Sequence, residues 1–115
     1  MVLVKGDIVL AQFPFTDLSQ VKLRPAIVLQ FSPTKDEITI CFVSSQKVNQ
    51  LAEDEFALME TDPEFPSTGL RISSKIRVTR IVTLSRQLIS KRLGQLGITQ
   101  TQTLNTKLKK SFQIP

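Results

Sequence analysis

A chain of 115 residues, 41% hydrophobic and 22% charged, is long enough for one modest core and too short for two. It has no apolar run near membrane-spanning length, so no membrane partner is expected. The absence of histidine excludes Ser-His-Asp triads, Cys-His pairs and histidine-ligated zinc, and the four glycines form no phosphate-binding loop.

The net charge of +5 conceals a segregation along the chain. Residues 1–52 carry five bases and four acids, residues 53–64 (EDEFALMETDPE) carry six acids and no base, and residues 65–115 carry ten bases and no acid. A stretch so free of carboxylates predicts a positive surface suited to a polyanion, nucleic acid foremost. A basic face that is merely solvated is the plainer alternative.

In chain order, the start MVLVKGD lacks the apolar region of a signal peptide, and the chain has a single cysteine. Both features predict a cytoplasmic protein. DIVLAQF (7–13) follows a turn-type Gly6-Asp7 and reads as a strand, PFTDLSQVKLR (14–24) as a loop, and PAIVLQF (25–31) as a second strand. SPTKD (32–36) makes a tight connection into EITICFVSS (37–45). In that third strand Ile38, Ile40, Phe42 and Ser44 share one face, and Thr39, Cys41, Val43 and Ser45 the other. The apolar neighbours of Cys41 predict a buried, inert thiol.

DEFALME (54–60) is a candidate fourth strand and TDPEFPSTG (61–69) a loop. The six acids here read as a solvated face in preference to a hard-cation site. LRISSKIRVTRIVTLS (70–85) alternates β-branched with basic residues and reads as a strand with a break. RQLISKRLGQL (86–96) suits a helical turn followed by an edge strand. ITQTQTLNTKLKKSF (98–112) is a helix presenting Ile98, Thr101, Leu104, Leu108 and Phe112 on one face, with Thr99 as N-cap. Short, evenly spaced strands closed by one helix predict a mainly β fold, a small barrel, in a single domain over 1–115.

Arg24 stands directly before Pro25 at the entrance of the second strand. Pre-proline sterics hold it extended, and its planar fork matches two phosphate oxygens. The structural alternative is an exposed strand-end arginine paired with a nearby carboxylate such as Asp17. Ser44 and Ser45 end an apolar strand, where a hydroxyl either starts a turn or faces a ligand.

Four blocks in order, KGDIVLAQFPFTD, RPAIVL, CFVSSQ and STGLRISSKIRVTRIVTLSRQLISKRLGQL, make residues 5–96 resemble the MazF/PemK toxins of type II toxin–antitoxin pairs. The resemblance implies an SH3-like β-barrel with a C-terminal α-helix, as in CcdB and PemK-type folds, and a homodimer. It also implies an endoribonuclease that needs neither metal nor cofactor and cleaves single-stranded RNA. An antitoxin with an acidic or disordered segment would be its second partner.

Carried over by motif, the catalytic arginine falls on Arg24. The catalytic hydroxyl falls on Ser44, with Ser45 one residue away. Phe15, Thr16 and Asp17 begin the loop over the active site, which runs to Leu23. Lys22, Ser45, Gln46, Arg71, Lys75, Arg77 and Arg80 are candidates for RNA binding, several of them as phosphate contacts. A strand-face role is equally open for the last four. Where many members have threonine this chain has serine, which also supplies a hydroxyl. Two rival readings remain at this level. One is a gyrase poison of the CcdB type, which depends on a tryptophan near the C-terminus that is absent here; the other is a barrel that binds nucleic acid without cutting it.

Overall fold

The computed structural model describes residues 2–14 and 21–115. Six strands, β1 (Asp7–Pro14), β2 (Val21–Ser32), β3 (Glu37–Ser44), β4 (Glu55–Leu58), β5 (Ser74–Ser85) and β6 (Ile89–Gln95), precede a single helix, α1 (Ile98–Ser111). The strands form one antiparallel sheet in the order β4-β5-β3-β2-β1-β6. The mainly β class with a C-terminal helix is as predicted. The sheet, however, is not closed: β4 and β6 are its edges and do not pair among the described residues. β4 has only four residues before Pro63 and Pro66 interrupt the chain. A 3₁₀ turn, Phe65–Thr68, lies against β6 instead.

Because side chains alternate across a strand, the apolar runs supply both faces of the sheet. One face buries Ile8, Ile27, Cys41, Val43, Leu58, Ile76 and Val78, and α1 covers it with Leu104, which is fully buried. Removing one such leucine side chain from water contributes about 2 kcal/mol. The other face buries Val9, Ala11, Phe13, Ala26, Val28, Ile38 and Ile40, with Leu3 and Ile89 completing the cluster. Cys41 is fully buried, and burial pushes its thiol pKa up to about 12, which agrees with an inert cysteine.

Three departures from the sequence reading have physical causes. β2 begins at Val21, so residues 21–24 are strand: they pair with Pro14 back to Ala11. Pro25 lies one residue beyond the last β2–β3 pair, Ala26↔Phe42, where a missing N–H is tolerated. The Thr99 hydroxyl does not cap α1. Its N-cap is Gly97, and the carboxylate of distant Glu64 accepts the N–H groups of Thr99 and Gln100, both at 3.0 Å. An anion at that end also complements the helix dipole, and such a cap is worth about 1 kcal/mol. Finally, the inward stripe of α1 runs through buried Gln100 and Leu104 and half-buried Leu108, whereas Ile98, at its first residue, and Phe112, just past its last, are exposed.

The predicted break in the fifth strand is a bulge. Cys41 pairs with Ile81 but the next residue, Phe42, pairs with Arg77, so Val78, Thr79 and Arg80 have no partner on β3. The carbonyl of Asp54 accepts the freed Val78 N–H at 3.0 Å.

Candidate active site

The β2–β3 register, continued two residues past Ala26↔Phe42, brings Arg24 level with Ser44 at the end of the sheet. Both stand on the face of Phe13 and Phe42. Two clefts meet there. The first, about 430 Å³, is lined by Lys22, Leu23, Arg24, Ser44, Ser45, Gln46, Leu70 and Arg71, among others. The second, about 250 Å³, is lined by Phe13, Arg24, Phe42, Val43, Ser44, Arg77 and Arg80. Arg24, Val43 and Ser44 are common to both.

Arg77 and Arg80 are three residues apart, and in a regular strand they would face opposite ways. The bulge between them resets the alternation, so both reach the second cleft. Its floor is an aromatic pair, Phe13 and Phe42, with ring centroids 4.5 Å apart and planes tilted by 42°. Ser44 Oγ accepts the N–H of Gln46 at 3.1 Å, which fixes one lone pair and leaves the hydroxyl proton to donate. The opposite wall of the first cleft, Leu70 to Ile72, follows the 3₁₀ turn, which ends at Gly69 in the left-handed region (φ 72°).

The sequence candidates therefore divide. Arg24, Ser44, Ser45, Gln46, Lys22, Arg71, Arg77 and Arg80 converge on the two clefts. Lys75 does not: it is buried, and its Nζ donates to Glu55 Oε1 at 3.1 Å and to the carbonyl of Gln50 at 2.9 Å. This cation is spent on a carboxylate inside the protein and is not offered to a ligand. Phe15, Thr16 and Asp17 lie outside the described residues, and so does any pairing of Arg24 with Asp17. The sequence reading missed Phe13, Phe42 and Glu55. Glu55 sits opposite Arg77 across β4–β5, a cross-strand charge pairing that the pattern of two adjacent strands contained.

The acidic segment is only in part the solvated face that the sequence suggested: Glu53 and Glu60 are exposed, Asp54, Asp62 and Glu64 half-buried, and Glu55 buried. Glu55 holds Lys75 and Arg77, Glu64 caps α1, Asp54 accepts the hydroxyl of Thr79, and Glu60 Oε2 accepts the N–H of Ser73 at 3.3 Å. Among the described residues no three Cys, Asp or Glu side chains cluster.

The N–H of Ala52 is the largest influence holding the Glu55 carboxyl below its ordinary value of 4.5; burial opposes it, and Lys75 and Arg77 add to it. A carboxyl that is more acidic folded than unfolded stabilises the fold above its ordinary pKa and loses that contribution as pH falls through the folded value. Urea midpoints should therefore change little between pH 6 and 5 and drop below about pH 4.5. Glu55→Gln should remove part of that acid limb.

The model of the PemK-like, MazF-like toxins of type II toxin–antitoxin systems matches residues 4–112. The chain belongs to that family. Solved structures agree on the fold. An endoribonuclease in complex with its cognate antitoxin, from a mycobacterial species, superposes with a TM-score of 0.74 at 12% identity, over 99% of this chain and 98% of that one. The Mycobacterium tuberculosis toxin MazF-mt6 gives 0.72 at 16% identity, over 95% and 98%. A second mycobacterial endoribonuclease gives 0.71 at 12%, over 100% and 95%. No curated protein matches the sequence significantly. In this toxin no helix among the described residues is long and apolar enough to cross a membrane.

Proposed function

We propose that this toxin is an endoribonuclease of the cytoplasm that cuts single-stranded RNA by attack of a ribose 2′-hydroxyl on the adjacent phosphate. The observation that carries the reading is the placement of Arg24 and Ser44, from separate strands, at the junction of two clefts lined by further cations. In the step, the O2′–P bond forms and the P–O5′ bond breaks, leaving a 2′,3′-cyclic phosphate and a 5′-hydroxyl. The 2′-hydroxyl proton is lost and the leaving oxygen gains one. Arg24 binds the scissile phosphate, offsets the charge of the pentavalent phosphorane and takes part in the proton transfer. Ser44, shared by both clefts, donates its hydroxyl to a phosphate oxygen, and Ser45 lies to one side.

RNA running through both clefts would place its backbone against Lys22, Arg71, Arg77 and Arg80, and a base against the Phe13–Phe42 floor. The mycobacterial endoribonuclease with its cognate antitoxin supports a similar partner here, an acidic segment that competes for the same basic clefts. A homodimer would extend the RNA path across two copies. The test is incubation of a mixed single-stranded RNA with the protein in EDTA. Discrete fragments with 2′,3′-cyclic phosphate ends support the reading; intact RNA overturns it.

A further inference from the structure

In the second cleft a buried carboxylate holds the side chain of Arg77. Its Nε donates to Glu55 Oε2 at 3.2 Å, and its side chain is 36% exposed against 8% for Glu55. Only Nε is engaged among the described residues, so the two terminal NH₂ groups keep their donors on the cleft side. The other carboxylate oxygen, Oε1, accepts the N–H of Ala52 at 2.9 Å and Lys75 Nζ at 3.1 Å. Lys75 in turn donates to the carbonyl of Gln50. A bare carboxylate beside a phosphate path would repel RNA. Here the buried lysine neutralises it, and the charge of Arg77 remains uncancelled.

We propose that Glu55 is a positioning residue for RNA, holding Arg77 as a preset phosphate fork in the second cleft while Lys75 cancels its charge. The assignment rests on the ribonuclease reading above. It also gives Lys75 a role: not a contact for RNA, but the counter-ion that lets an acid serve a polyanion site. Together Glu55, through the N–H of Ala52, and Lys75, through the carbonyl of Gln50, tie the segment 50–52, downstream of Ser45 and Gln46, to β4 and β5. A flexible arginine pays rotamer entropy on binding, whereas one anchored through Nε has lost that freedom beforehand.

The test is a double-mutant cycle on RNA affinity, read by fluorescence anisotropy in the slow-cleaving Arg24→Ala background with EDTA. Glu55→Gln alone leaves Lys75 buried without its partner, so the Glu55→Gln/Lys75→Met pair, which removes both buried charges, is measured beside it. With Arg77 present, the pair is expected to raise Kd by about tenfold at constant melting-corrected occupancy and to flatten the salt dependence by about one unit of slope. With Arg77→Met, the same pair should change neither, because the residue it positions is gone. Equal losses in both backgrounds, or loss of melting temperature with unchanged Kd and slope, would overturn the assignment and leave the ribonuclease reading standing. No RNA binding by the Arg24→Ala parent and no cleavage by the wild type would overturn both.

Discussion

Replacing Arg24 by alanine should slow RNA cleavage by about 10²–10³-fold, the loss expected when one preorganised donor to a developing oxyanion is removed. The residue is exposed, although it lies within β2, so the melting temperature should stay within the small range of surface substitutions. That separation of rate from stability is what a catalytic role demands. Arg24→Lys sharpens the point: it keeps the charge and loses the planar fork, and should recover only a minor part of the rate. Ser44→Ala should cost less than Arg24→Ala, since one neutral hydroxyl donor is removed, and Ser45→Ala less again. Wild-type cleavage by Arg24→Ala, measured in single turnover, would reject the assignment. A reversed order for the two serines would move the hydroxyl role to Ser45.

Most of the architecture was legible because it is local. Alternation in DIVLAQF, PAIVLQF and EITICFVSS reports faces directly, and the helical turn followed by an edge strand at 86–96 appears as the 3₁₀ turn Arg86–Leu88 and β6. What failed was long-range. The helix cap comes from Glu64, 35 residues before Thr99, so the hydroxyl nearest in sequence was the wrong choice. Lys75 and Arg77 look alike in KIRVTRI, and only the β4–β5 register shows that Glu55 buries one and leaves the other half open. Arg80 joins Arg77 through a bulge whose break was visible in the sequence but whose effect on side-chain direction was not. The site pair, Arg24 and Ser44, was named from motif resemblance; periodicity alone left both open to a structural role.

Gly94→Ala should be strongly destabilising for a single added methyl, because it acts where two stretches of backbone touch. A Cβ on Gly94 would lie 2.3 Å from the carbonyl oxygen of Ser67 and 2.5 Å from the carbonyl carbon of Thr68. From the other side, a Cβ on Gly69 would lie 2.1 Å from the carbonyl oxygen of Leu93, at a φ of 72° that disfavours any side chain. No flexible side chain can yield here, so the 3₁₀ turn must leave β6. The turn is also locked from within: the buried Thr68 hydroxyl donates to the carbonyl of Phe65 at 2.7 Å and accepts the N–H of Leu70 at 3.2 Å. Overpacking of this kind costs about 3 kcal/mol, which lowers Tm by roughly 15 °C in a domain of this size. The displaced segment continues directly into Leu70, Arg71 and Ile72, the wall of the first cleft. Well below its melting point the variant should therefore show a raised KM for RNA with a smaller change in kcat. Ser67→Ala is the control: it removes an exposed hydroxyl that donates within the turn to Glu64 at 2.8 Å and only distantly to Gln95 of β6, at 3.4 Å, and it adds no volume, so Tm and KM should stay near wild type. If Gly94→Ala melted with the wild type, the close approach of the turn to β6 would not be what holds that wall in place.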